Sequence, residues 1–397
     1  MPRLSREGGN PQVTIDAGSS YELLMSLQVV FDVDNHPIAE VGPEWLSAIQ
    51  ERAGKALMDR LHAFTQDNGD FFVHLVPLAY DAPGPRTAAS LLTHLETVDE
   101  RDLLMLMVGY YDYHMRRTTP PEVIRAAVDG DRAARRELLD ACEGWPDWQG
   151  FLSHLLARDP QTVKSDLIAL LGEWNEQVWQ ADEERILPIL VRDADAKRAL
   201  ASELPFERFV ETATNGVQFV PHAGIDRLVL IPSWAQRPWV SYAEYGGAMF
   251  LVYPVADESL SAESDAPPLR LVRLTKALGD EKRLRILRAL AAGPRSLIEL
   301  TEQFEVPKTT MHHHLVTLRS AGLISVGTGS KDYRLRADVL PNLAQMLGGY
   351  LGPVADQDTR RPPEGQPPGL PAAASARHRG RRPGAVAIVS RSSRRAG

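Results

Sequence analysis

The chain has 397 residues, of which 44% are hydrophobic and 24% charged, with a net charge of −8 and one cysteine. This composition is ordinary for a folded protein of two or three domains, and it excludes a disulfide-built scaffold, because Cys142 has no second cysteine to pair with. No apolar run reaches the roughly 18 to 20 residues that a bilayer span needs, and the N-terminal MPRLSREGGNPQV has no apolar segment of a secretory signal, so the expected location is the cytoplasm.

The charge is unevenly spread. Residues 1–268 carry 22 Lys/Arg against 42 Asp/Glu, whereas residues 269–351 carry 13 against 7. A large acidic part joined to a small basic part points to nucleic acid at the basic end.

In chain order, residues 1–12 are polar and read as a flexible N-terminus. Residues 13–256 read as a mostly helical effector or dimerisation domain. SSYELLMSLQVVF, GPEWLSAIQERAGKALMDRLHAF, ERDLLMLMVGYYDYHMRR and TVKSDLIALLGEWNEQVWQADEERILPILVRD all show apolar residues at helical spacing, the last with a kink expected at Pro188. Near 215 the character changes. NGVQFVPH, DRLVLIPSW and GAMFLVYPV are β-rich runs bounded by Gly, Pro and Asn, which predict a small sheet near 215–256. Residues 257–268, DESLSAESDAPP, read as a linker. Residues 352–397 read as a disordered Pro/Arg-rich tail, able at most to add non-specific attraction to phosphates.

Between these lies the basic segment 269–351. Leu271, Leu274 and Leu278 share one face of a first helix. Gly279 ends it and Asp280 is placed to cap a second, in which Leu284, Leu287 and Ala291 form a stripe with Ile286 and Leu290 beside it. Gly293-Pro294 stops the second helix. Ser296 and Glu299 make a capping box for a third, with Leu297, Leu300 and Phe304 on its buried side. Pro307 suits the start of a fourth. Two short helices across a tight turn are a helix-turn-helix, and LISVGTGS with KDYRLRA, two strands around a Gly-Ser turn, makes the hairpin of a wing. The expected architecture is mainly α with small β elements: a large α+β N-terminal domain followed by a winged helix-turn-helix.

The fourth helix contains three consecutive histidines. At about 100° per residue, Met311, Leu315 and Leu318 face the core, and Thr309, His313, Val316 and Ser320 lie opposite. Thr310 and Thr317 sit at one edge of that outer face and His312 and Arg319 at the other, while His314 flanks the core stripe. No two of the histidines are three or four residues apart, the spacing a shared metal needs on one helix. Thr and His can read base edges, and basic and hydroxyl groups hold phosphates. Lys308, Thr309, Thr310, His312, His313, Thr317 and Arg319, with Lys331 and Arg334 from the hairpin, are therefore the candidate DNA-contacting residues.

The motifs GDEKRLRIL, SLIELTEQF, TTMHHHL and LRSAGLI resemble the winged-helix domain of ArsR-type transcriptional regulators over residues 269 to about 340. The resemblance implies a homodimer on a partly palindromic operator, usually a repressor, with residues 269–278 and 339–351 forming the dimer. The metal-sensing members carry a Cys pair in the helix here written SLIELTEQF, which has none, or Asp and His ligands on the last helix, here VLPNLAQMLGGYL, which has neither. Metal sensing and cofactors are thus not expected. SSYELLMSL, RLVLIPSW and LVYPVAD resemble the N-terminal domain of such regulators with a long extension, which implies no function.

Nothing in residues 13–256 has catalytic spacing: no H-E-x-x-H, G-x-S-x-G, P-loop or G-x-G-x-x-G occurs, so no enzyme is expected. Trp174 and Trp179, five apart, would point about 140° from each other on an α-helix and read as separate packing contacts. Three readings remain: a DNA-binding regulator with an unknown small-molecule effector, one without an effector, and a winged helix used for protein–protein contact.

Overall fold

The computed structural model describes residues 10–33, 36, 39–220, 224–260, 267, 269–327, 332–336 and 339–351. The Pro/Arg-rich tail, most of the expected linker, residues 1–9 and Lys331 lie outside the described residues.

Strand β1 (Gln12–Ile15) leads into α1 (Ser19–Phe31) and α2 (Pro43–Thr65). Shorter helices follow: α3 (Phe71–His74), α4 (Val76–Asp81), α5 (Ala88–Thr97), α6 (Glu100–Met107), α7 (Tyr113–Thr118), α8 (Pro121–Val128), α9 (Arg132–Ala141) and α10 (Pro146–Leu156). Helix α11 (Pro160–Trp174) passes through a π-helical turn, Asn175–Trp179, into α12 (Gln180–Glu203), and α13 (Phe206–Ala213) follows.

Helix α1 explains the core. Its sequence holds one charged residue, and every residue from Ser19 to Phe31 is buried. A helix buried on every side, with so little charge, belongs in the middle, and the others pack about it. The one charge, Glu22, accepts a hydrogen bond from the Ala235 amide at 2.5 Å, and burial raises its pKa to about 7. The Trp174 indole N–H donates to Ser26 Oγ at 3.0 Å.

Two helix expectations are corrected. ERDLLMLMVGYYDYHMRR is not one helix. Gly109 takes a left-handed φ of +76°, which ends α6, and Asp112 starts α7 afresh by accepting from the Met115 amide. The long segment expected to kink at Pro188 runs helically through it, and its irregularity is the π turn at Asn175–Trp179. A π turn is closed by i→i+5 bonds. It takes in an extra residue and narrows the 140° expected between Trp174 and Trp179, and both indoles are buried in the same core.

The strands form two sheets. Strand β2 (Val217–Gln218) comes first in the chain after α13, then β3 (Arg227–Ser233), β4 (Ser241–Tyr245) and β5 (Ala248–Pro254). The first sheet has the order β1-β3-β5-β4, with β1, β3 and β5 parallel and β4 antiparallel to β5. Parallel strands covered on both faces read as continuous apolar runs. Accordingly Val229, Ile231, Phe250 and Val252 face the helical core, while Leu228, Leu230, Met249 and Leu251 pack with Phe209 and Val210 of α13. Gln12, expected in the flexible N-terminus, pairs with Arg227 in this sheet.

The remaining elements are α14 (Leu269–Leu278), α15 (Glu281–Ala291), β6 (Arg295–Ser296), α16 (Leu297–Phe304), α17 (Lys308–Ser320), β7 (Ile324–Gly327), β8 (Asp332–Leu335) and α18 (Leu340–Leu351). This is the winged helix-turn-helix. Asp280 caps α15 by accepting from the Arg283 amide at 2.8 Å. The capping box at α16 is complete, with Ser296 Oγ accepting from the Glu299 amide at 3.3 Å and Glu299 Oε2 from the Ser296 amide at 2.7 Å. The stripe expected on α15 is rotated by about one position: Ile286, Leu287 and Leu290 are buried with Met311, Leu315 and Leu318, whereas Leu284 is 48% exposed.

The second sheet has the order β2-β7-β8-β6. Strand β2, from the NGVQFVPH run expected in the first sheet, instead pairs parallel with β7 of the wing, Val217 opposite Val326 and Gln218 opposite Gly327. The start of the expected linker is also structured: Asp257–Ser259 forms a 3-10 turn, and Asp257 is paired with Arg237 at 2.7 Å and Arg273 at 2.8 Å. All the described residues fall in one compact unit.

Candidate nucleic-acid interface

Helix α17 is the element that a helix-turn-helix presents to a groove. Glu305, with φ of +51°, makes the left-handed turn that precedes it, and Pro307 occupies its N-cap with no side-chain capping bond. Its first amides are therefore free of a side-chain cap, at the end of the helix where phosphate is favoured.

The candidate residues separate into two groups on different sides of the helix. Lys308 and Thr309 are exposed, and Thr310 and His313 are partly so. On the wing, Arg334 of β8 is exposed. The second group is turned toward the large domain. His312 and Arg319 line a cavity of about 120 Å³ with Leu315, Val316, Tyr333 and, from the loop between β3 and β4, Trp239 and Val240. Thr317 lines a neighbouring cleft with Trp234, Pro238 and Arg273, and its Oγ1 donates to the His313 carbonyl at 2.9 Å.

Burial sets the electrostatics of this second group. Desolvation, then the charges of Arg319, His313 and Lys308, lowers the His312 pKa below the usual histidine value. Desolvation also lowers the pKa of Arg319. His314, expected to flank the core, is half-buried, and its pKa is lowered chiefly by burial and partly restored by Asp280. Among the described residues no group of three or more His, Cys, Asp or Glu side chains is placed to hold a metal ion.

Several residues that sequence reasoning passed over hold the large domain against α14, α17 and the wing. Asn215 Nδ2 donates to the Ser320 carbonyl at 2.9 Å. The Val326 amide donates to the Gly216 carbonyl at 3.0 Å. Glu211 pairs with Arg336 at 3.3 Å. Arg273 of α14 pairs with Glu40 and Asp257, which also hold Arg237. The dipeptide Asn215-Gly216 was the one local signal here, since it marks a turn. The alternating charges of the Glu40, Arg237, Asp257 and Arg273 cluster come from four separate segments and leave no pattern in the sequence.

The fold and the exposed start of α17 define a helix-turn-helix module. A family model described as a helix-turn-helix domain matches residues 278–327, which supports a DNA-binding regulator. No curated protein and no solved structure matches the chain. No helix among the described residues is long and apolar enough to cross a membrane.

Proposed function

We propose that the chain is an ArsR-type transcriptional repressor that works in the cytoplasm as a homodimer on a partly palindromic operator, is not a metal sensor and catalyses no reaction. The observation that carries this reading is the open start of α17, where Lys308, Thr309, Thr310 and His313 stand clear of the core. The surplus of Lys and Arg over residues 269–351 supplies attraction to the DNA backbone.

Dimerisation rests on α18. Leu347, Tyr350 and Leu351 are 41%, 45% and 61% exposed, and clustered apolar exposure of this kind marks an interaction surface. An effector also has room. The cleft lined by Trp234, Pro238, Val272, Arg273, Lys276 and Val316 measures about 430 Å³, within the usual range for small-molecule sites.

The test is selection of bound duplexes from a random pool by the full-length protein at near-physiological salt. The expected result is one enriched, two-fold-symmetric site. Absence of enrichment, with binding that disappears as salt rises, both in the unmodified protein and in a Glu211→Gln/Asn215→Ala variant that loosens the large domain from α17 and the wing, sinks sequence-specific regulation and leaves a protein-contact role. Leu347→Asp with Leu351→Asp should shift the sedimentation coefficient from dimer to monomer. A mass unchanged from that of the unmodified protein removes α18 from the dimer.

A further inference from the structure

The outward face of α17 is not open along its whole length. Val316 lies opposite the core stripe, where a recognition helix meets the groove, yet it is 5% exposed. The loop between β3 and β4 covers it: Pro238 shares one cleft wall with Val316, and Trp239 and Val240 share the next. Ser320, also on the outward face, has its carbonyl held by Asn215. An α-helix with its side chains is about 10 to 12 Å across, and the major groove is about 12 Å wide. A groove filled by α17 leaves no space for a second layer of protein on its outer face.

The cover is fastened at three places. Strand β2 extends the wing sheet through β7, Glu211 holds Arg336, and Glu40 with Asp257 holds Arg273. It is also imperfectly satisfied. The indole N–H of Trp239 is buried with no acceptor, and Arg319, half-buried at the cavity wall, has no ion pair among the described residues. Both groups gain partners if the cover lifts: water for the indole and phosphate for the guanidinium.

We propose that the large domain is an autoinhibitory cover on the recognition helix, and that full engagement of DNA requires β2 and the Pro238–Val240 loop to leave α17 and the wing. This rests on the DNA-binding reading above. It goes further by assigning the large domain a second role, as a competitor for the face the groove must occupy.

Val217 and Val326 are in-register partners. Neighbouring strands lie about 4.8 Å apart, within the Cα separation a disulfide spans, and the native Cys142 is buried and does not interfere. In the full-length Val217→Cys/Val326→Cys protein, oxidation should lower affinity for the selected duplex at least tenfold and reduction should restore it. Equal affinity in both redox states overturns the proposal. Glu211→Gln/Asn215→Ala carries the test if the cysteine pair does not fold: it should bind at least tenfold more tightly than the unmodified protein, and unchanged affinity again overturns the cover. Amide exchange gives a direct reading. Val326 N–H, protected by Gly216 in the free protein, should lose protection when duplex is added, and retained protection at saturating duplex rejects the opening. If neither the unmodified protein nor the Glu211→Gln/Asn215→Ala variant binds any duplex in the pool, the DNA-binding reading itself fails, a result distinct from tight binding with the cover in place.

Discussion

The open and covered sides of α17 contrast sharply. At the start, Lys308 and Thr309 are exposed above a helix end with no side-chain cap. On the covered side, Val316 is buried, His312 and Arg319 share a cavity with Trp239 and Tyr333, and Ser320 is bonded to Asn215. The same helical periodicity governs both sides, so the difference comes from outside the helix. Whether an outward-facing residue meets solvent is decided by a domain that lies earlier in the chain.

The strongest way to test this contrast is to delete side chains on the open side. Thr309→Ala and His313→Ala should each weaken binding to the selected duplex by about 1 to 3 kcal/mol if the contact is to a base, with the thermal unfolding midpoint nearly unchanged. Unchanged affinity in either variant removes that residue from the reading surface. His312→Ala, on the covered side, should cost less than either.

A comparable effect of opposite sign is expected at the fastening. Gly216 has φ of +103°, and a Cβ there would lie 2.9 Å from the Ile324 carbonyl oxygen of the wing. Gly216→Ala thus introduces both backbone strain and a clash at the β2–β7 junction. It should expose the Val326 amide to exchange and tighten DNA binding severalfold. Retained protection would show that the junction absorbs the methyl group.

A smaller effect sharpens the comparison on the wing. Arg334→Ala should weaken binding to all sequences alike and reduce its salt dependence by about one unit of slope, in contrast to the sequence-selective losses at Thr309 and His313. A loss confined to the selected site would mean that Arg334 reads bases.

The smallest effect is a pH response on the covered side. His312 faces Arg319 and Tyr333 across its cavity, and its pKa is lowered in the covered state. The covered state therefore binds fewer protons than an opened one. Its stability is fully present above the ordinary histidine value of about 6.5 and is lost as pH falls through that value toward the lowered one. The Val326 exchange protection factor should decline between pH 7.5 and 5.5 (roughly one unit either side of that ordinary value), and His312→Asn should flatten the decline. An unchanged slope in the variant assigns the response to another group.

What the sequence showed was what neighbouring residues determine. Asp280 before α15, the Ser296–Glu299 pair at α16 and the Met311, Leu315 and Leu318 stripe are local patterns, and each appears in the structure as read. The run ERDLLMLMVGYYDYHMRR misled because its apolar periodicity continues past Gly109, where one left-handed residue turns the chain. The candidate site was legible to the same extent. Helical geometry correctly put Val316 on the outward face, but no periodicity could reveal that Pro238 and Trp239 arrive to bury it. The Glu40, Arg237, Asp257 and Arg273 cluster was invisible for the same reason, since each residue alone is an ordinary surface charge type.

The β2–β7 pairing also bears on how the wing is made. The two strands lie more than a hundred residues apart in sequence, so the wing sheet is completed by a non-local contact, the kind that forms slowly because a long loop must close first. During synthesis β2 emerges long before its partner. A fragment beginning at Leu269 would leave the outer amides and carbonyls of β7 as an open sheet edge, which invites pairing with other chains. Such a fragment should be more prone to aggregate than the full-length protein, and its solubility would depend on supplying residues 215–218 or blocking that edge with charge.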